Sequence, residues 1–93
     1  MYTLKRLPRV RQQLRQVPDR IAQEVSDTIL GLQDEPYPPN AEELRDQYHG
    51  IWKIKIDGWR IFYRVSESEQ TVTVISVKQR DRNTYISLFS ILF

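Results

Sequence analysis

WKIKIDGWRIFYRV, Trp52 to Val65, is two alternating runs on either side of Asp57-Gly58. A two-residue Asp-Gly between such runs signals a β-hairpin, because a type I′ turn needs positive φ at both central positions. Alternation then sorts the side chains. Trp52, Ile54, Ile56, Trp59, Ile61, Tyr63 and Val65 form a large apolar face. Lys53, Lys55, Arg60, Phe62 and Arg64 form the other. The turn pairs Ile56 with Trp59, Lys55 with Arg60 and Lys53 with Phe62. Like charges directly opposed destabilise a hairpin by tenths of a kcal/mol, up to about 1. Nothing nearby on that face is expected to neutralise them, because Asp57 sits in the turn. Cations grouped around an aromatic ring suit RNA, which offers phosphates to the charges and unstacked bases to the ring. Phe62 fits equally as a hydrophobe shielded by lysine stems.

Outward from the hairpin, Thr71–Val77 reads as a third strand after the polar Ser66–Gln70. It runs into KQRDRNTY, Lys78 to Tyr85, and carries Arg80 to the rim of the cationic face. Guanidinium makes paired bonds to phosphate oxygens. Upstream, Tyr2 to Leu4 is a short strand, and Pro8 stands at a helix start. Val10, Leu14 and Val17 give one helical face with a basic exposed side. Pro18 ends or restarts that helix, and Ile21, Ala22, Val25, Ile29 and Leu32 line a second. DEPYPPN, Asp34 to Asn40, stops it. Ala41 to Gly50 reads as a polar connector, and TYISLFSILF as a closing strand or short helix. The order β-α-α-β-β-β plus a tail predicts one α+β domain over residues 1–93. In it, two N-terminal helices pack on a mostly antiparallel four-stranded sheet.

The chain has 93 residues, 40% hydrophobic and 28% charged, as expected of one globular domain. Its net charge of +2 is unevenly spread: residues 1–20 hold six Lys/Arg and one acid, and residues 21–50 one Arg and seven acids. That implies a localised field. The absence of cysteine excludes disulfides and thiolate chemistry and suits a cytoplasmic protein. His49, the single histidine, argues against a multi-histidine metal site or a Ser-His-Asp triad and reads as a loop residue. No run matches a membrane span or a signal-peptide core.

WKIKIDGWRIFYRV followed by VTVISVKQRDRNTY resembles the RelE/ParE toxin superfamily, and RelE more than its relatives. The shared pattern is an aromatic-Lys-Ile-Lys strand, a tight turn, Gly-aromatic-Arg, two apolar residues and Tyr, a polar loop, an apolar strand and Arg-x-Arg with a following Tyr. The likeness spans almost the whole chain. It implies the toxin of a type II toxin–antitoxin pair that cleaves mRNA on the ribosome without metal or small-molecule cofactor. The implied partners are mRNA, the ribosome and a RelB-like antitoxin from a neighbouring gene. Carried over by motif, the catalytic positions are Lys53, Lys55, Arg60, Arg80 and Tyr85, with Phe62, Arg64, Lys78 and Arg82 as RNA contacts. The spacer before Tyr85 is one residue shorter than in the RelE pattern. In the implied chemistry the RNA 2′-hydroxyl attacks the adjacent phosphate. Lys55, crowded by Arg60, is the expected base, with Lys53 sharing or substituting for that role, and Arg60 and Arg80 stabilise the phosphorane. Two other implications follow from the superfamily: a ParE-like inhibitor of DNA gyrase, or an inactive homologue that only binds antitoxin. The apolar tail from Ile86 to Phe93 reads as core packing or as part of an antitoxin groove.

Overall fold

The computed structural model describes residues 1–80. The elements are β1 (Thr3–Arg6), α1 (Pro8–Arg15), α2 (Asp19–Gly31), β2 (Ala41–Glu43), a 3-10 turn (Asp46–Tyr48), β3 (Ile51–Ile56), β4 (Trp59–Ser66) and β5 (Thr71–Gln79). The strands form one sheet in the order β1-β5-β4-β3-β2. β1 runs parallel to β5, and the other neighbours are antiparallel. The α+β class is as expected, but the sheet has five strands rather than four. The extra strand is β2, inside the supposed connector, where Ala41, Glu42 and Glu43 pair with Ile54, Lys53 and Trp52.

Proline sets the helix starts. Pro8 occupies the first turn of α1, and Pro18 precedes α2 as its cap, where a missing N–H removes nothing from the ladder. Val10 of α1 and Ile21, Val25 and Ile29 of α2 are buried. They pack on Ile54, Ile56, Trp59, Ile61, Tyr63, Val72, Val74 and Val77. Fully burying an aliphatic or aromatic side chain of this size contributes about 1.5–3 kcal/mol, so this interface supplies the main driving force.

The hairpin has the expected register: Ile56 faces Trp59, Lys55 faces Arg60 and Lys53 faces Phe62. Asp57 and Gly58 have φ of 44° and 84°, the left-handed values a type I′ turn demands. Beyond Val74, the last residue paired with β1, the edge of β5 is met by α1 instead. The Gln13 side-chain carbonyl accepts the Val77 N–H at 2.8 Å and the Ser76 hydroxyl at 3.3 Å. The register shift between Phe62 and Tyr63 falls in the same stretch.

At the sheet end away from the hairpin turn, Tyr63 donates its buried hydroxyl to the Pro36 carbonyl at 2.7 Å, and burial pushes its pKa upward. Nearby, the Glu67 carboxylate accepts from Tyr2 at 2.6 Å and from Tyr37. These phenols, Tyr2 first, hold Glu67 below its usual value. Tyr37 is pushed up to about 12, by burial first and then by its bond to Glu67.

Two stability predictions follow. Tyr63→Phe leaves the buried Pro36 carbonyl unpaired and should cost about 1–3 kcal/mol in urea unfolding; no measurable loss would show that the bond is not made. Because Glu67 is lower in the fold than in the unfolded chain, its contribution is full above pH about 4.5. It is lost as pH falls through the folded value. Glu67→Gln should therefore flatten the acid limb of a Tm-against-pH curve. An unchanged acid limb would refute this.

Candidate nucleic-acid interface

The sheet face opposite the helices is where the cations collect. Cross-strand pairing sets Lys55, Arg60 and Lys78 in one row across β3, β4 and β5. The next row is Glu42, Lys53, Phe62 and Ser76. Directly opposite residues have Cβ atoms about 4.5–5.5 Å apart, so the first row holds three positive charges in close succession. Arg80 follows β5, where its N–H donates to the Gly58 carbonyl at 2.7 Å. The ladder thus continues past Gln79 and brings Arg80 beside the hairpin turn. Arg64 is exposed on β4 and belongs to a row with Thr73 and Lys5.

Arg60 is the central member. It is 9% exposed and donates to the Trp59 carbonyl at 3.2 Å. Among the described residues no carboxylate pairs with it. A buried guanidinium flanked by two lysines carries a large desolvation penalty without a counter-charge. The arrangement suits an anion arriving from outside.

The hairpin does have one acidic neighbour, which the sequence reading missed. Glu42 stands 3.9 Å from the ammonium of Lys53 and 3.9 Å from that of Lys55. Both distances exceed hydrogen-bond length, so the carboxylate is loosely shared. It reaches the lysines because β2 pairs with β3, and a three-residue polar strand shows no alternation to detect. The Asp57 carboxylate turns elsewhere, to Arg20 of α2.

Phe62 needs correction as a stacking ring. It is 1% exposed and packs with Leu44, Ile51 and Ile75, with Leu7 and Tyr48 against the group. No base can reach its face in this conformation. The hydrophobe reading applies: Leu44 and Tyr48 pack with the ring's cluster, and Lys53, itself mostly buried, stands directly opposite on β3. His49 is a loop residue as expected, 3.1 Å from the Glu43 carboxylate, which also accepts the Gly50 N–H at 3.0 Å. The structure thus brings together Lys53, Lys55, Arg60, Lys78 and, at the rim, Arg80. Arg82, Tyr85 and the apolar tail lie outside the described residues.

Among the described residues there is no group of three or more His, Asp or Glu side chains that could hold a metal ion. No described helix is long and apolar enough to cross a membrane.

The family model for the ParE toxin of type II toxin–antitoxin systems, parDE, matches residues 3–84. No curated protein matches significantly. Among solved structures, the chain is similar to one in the RelBE2 toxin–antitoxin complex of Mycobacterium tuberculosis. The identity is 28% over 85% of this chain and 98% of that one, with a TM-score of 0.73. It is similar to a chain of the intact E. coli RelBE complex, at 25% identity over 88% and 100% and a TM-score of 0.73. It shares its fold with a chain of the archaeal RelE–RelB complex of Pyrococcus horikoshii, at 20% identity over 87% and 97% and a TM-score of 0.74. With the family model spanning both helices, the hairpin and β5, this chain belongs to the ParE toxin family, within the RelE/ParE superfamily of type II toxin–antitoxin toxins.

Proposed function

We propose that this toxin is an endoribonuclease that cuts mRNA on the ribosome and is neutralised by a RelB-like antitoxin. The observation that carries the reading is the Lys55–Arg60–Lys78 row, with Arg60 buried and unmatched by any described carboxylate. A face needed only for solubility gains nothing from burying its central charge. The solved complexes with RelB-type antitoxins support the partner.

In the reaction proposed, the 2′-oxygen attacks the adjacent phosphorus and the bond from phosphorus to the 5′-oxygen breaks. The products are a 2′,3′-cyclic phosphate and a 5′-hydroxyl. One proton leaves the 2′-hydroxyl and one goes to the departing 5′-oxygen. Arg60 and Arg80 stabilise the phosphorane, as fixed charges do where negative charge develops. Glu42 modifies the expected role of Lys55. With a carboxylate between the lysines, this face holds both a proton acceptor and proton donors. Glu42 takes the 2′-hydroxyl proton, the Lys55 ammonium supplies the one for the leaving oxygen, and Lys53 holds the phosphate. Lys78 and Arg64 bind flanking phosphates. For Tyr85 and Arg82 the expectation stays one of substrate orientation and RNA contact.

The ParE family match keeps a second reading in play, inhibition of DNA gyrase without RNA cleavage. Purified toxin on programmed ribosomes should cut mRNA and leave gyrase supercoiling unchanged; the reverse pattern would replace the nuclease reading. Arg60→Ala should lower cleavage about 10²–10³-fold, the usual cost of losing a transition-state donor. Glu42→Gln should cost about 10²–10⁴-fold, as for loss of a general base. Cleavage by Glu42→Gln within a few-fold of wild type would return the base role to Lys55.

A further inference from the structure

Asp57-Gly58 carries a chemical liability as well as the turn. Of the six aspartates in the chain, Asp57 alone precedes a glycine. Glycine has no Cβ, so nothing on residue 58 shields its backbone nitrogen from the side chain of residue 57. The turn bond runs between the flanking pair, Ile56 and Trp59, and leaves the Gly58 N–H outside it. The Asp57 side chain is 56% exposed, so water reaches its carboxyl group. Among the described residues, no neighbour lies within 4 Å of the point where a Gly58 side chain would begin. Atoms added here meet no wall.

One contact holds the Asp57 carboxylate in place. Arg20, in the first turn of α2, forms an ion pair with it between helix and turn. Both side chains are exposed, and such a pair is a weak restraint. The Gly58 carbonyl has a structural duty of its own, since it accepts the Arg80 N–H at 2.7 Å. The same dipeptide therefore sets the hairpin register and holds Arg80 beside the cationic row.

We propose that Asp57-Gly58 is a site of spontaneous backbone modification, succinimide formation followed by isoaspartate, and that Arg20 slows it. The Gly58 nitrogen attacks the Asp57 Cγ and gives up its proton. A new C–N bond forms and a carboxyl oxygen leaves as water. Water then opens the imide ring. Addition at Cγ restores aspartate. Addition at the Asp57 main-chain carbonyl leaves the chain running through Cβ and Cγ, with the former main-chain carbon as a free carboxylate. Water is the only co-reactant. Isoaspartate adds one backbone atom to a turn whose left-handed φ of 44° at residue 57 fixes the strands. The register of β3 on β4 is released, and the Gly58 carbonyl is carried away from Arg80. Loss of toxin activity by this route rests on the RNA-cleavage reading; the modification itself does not.

The test ages purified toxin at neutral pH and physiological temperature. Residue 57 is then read by electron-transfer mass spectrometry, which separates isoaspartate from aspartate, and by methyl transfer from an isoaspartyl methyltransferase. Isoaspartate should accumulate at residue 57 and not at the other aspartates, through an intermediate lighter by one water. Arg20→Ala should speed it about two- to fivefold, the worth of an exposed ion pair. Gly58→Asn tolerates positive φ but sets a Cβ beside the nitrogen, and should bring residue 57 down to the level of the other aspartates. No isoaspartate in folded wild type, or a rate unmoved by Gly58→Asn, would overturn the site. A rate unmoved by Arg20→Ala would overturn the role of Arg20. The modified fraction, separated by chromatography, should lose the cross-strand NMR contacts between Lys55 and Arg60 and should no longer cut ribosome-bound mRNA. Intact contacts would overturn the structural consequence. Absence of cleavage by the unmodified toxin as well overturns the nuclease reading and leaves the modification site standing.

Discussion

The structure depends on the two-residue turn at Asp57-Gly58. Because both residues take left-handed φ, the strands on either side are locked in one register. A slip of one residue would exchange the two faces of β3 or β4. It would set Lys53, Lys55 or Arg60 against the helices and expose Ile54, Ile61 or Tyr63. The burial that drives folding therefore also holds the cations on the open face. The like-charge cost between Lys55 and Arg60, up to about 1 kcal/mol for such a pair, is small against the apolar burial beneath them. A stable core can carry a charged row that would be a poor choice for stability by itself.

The remaining elements serve that hairpin from its edges. On one side β5 adds Lys78 and carries Arg80 to the turn. It can do so because Gln13 replaces β1 as partner to the strand edge where β1 ends. On the other side β2 adds Glu42 to the lysine pair. The open face is thus asymmetric: positive at its centre and toward β5, mixed toward β2. RNA cleavage by its own 2′-hydroxyl needs such a mixture, since charge stabilisation calls for cations and proton removal calls for a base.

How far the sequence could be read follows from which contacts are local. The hairpin register was legible because Asp-Gly and the alternation sit in one continuous stretch. Both helices were legible because Pro8 and Pro18 punctuate clear apolar periods. β2 was not, since three residues reading Ala-Glu-Glu carry no period, and only their pairing with β3 makes them a strand. Missing β2 meant missing Glu42, and so the lysines were read as unopposed. Phe62 was placed on the correct face, yet its burial depends on Leu44, Tyr48 and Ile75, which come from other parts of the chain. The role of Gln13 depends on where β1 stops, a tertiary fact. Arg60 was placed correctly by alternation, but its burial was visible only in three dimensions.

On the function proposed, this charged face cuts RNA by transferring phosphate to the RNA's own 2′-oxygen. The most direct measurement is a transcriptome-wide map of 5′-hydroxyl RNA ends before and after the toxin is induced without an antitoxin. New 5′-hydroxyl ends should appear inside coding regions, confined to translated messages. Growth arrest with no new RNA ends and with loss of gyrase supercoiling would contradict it.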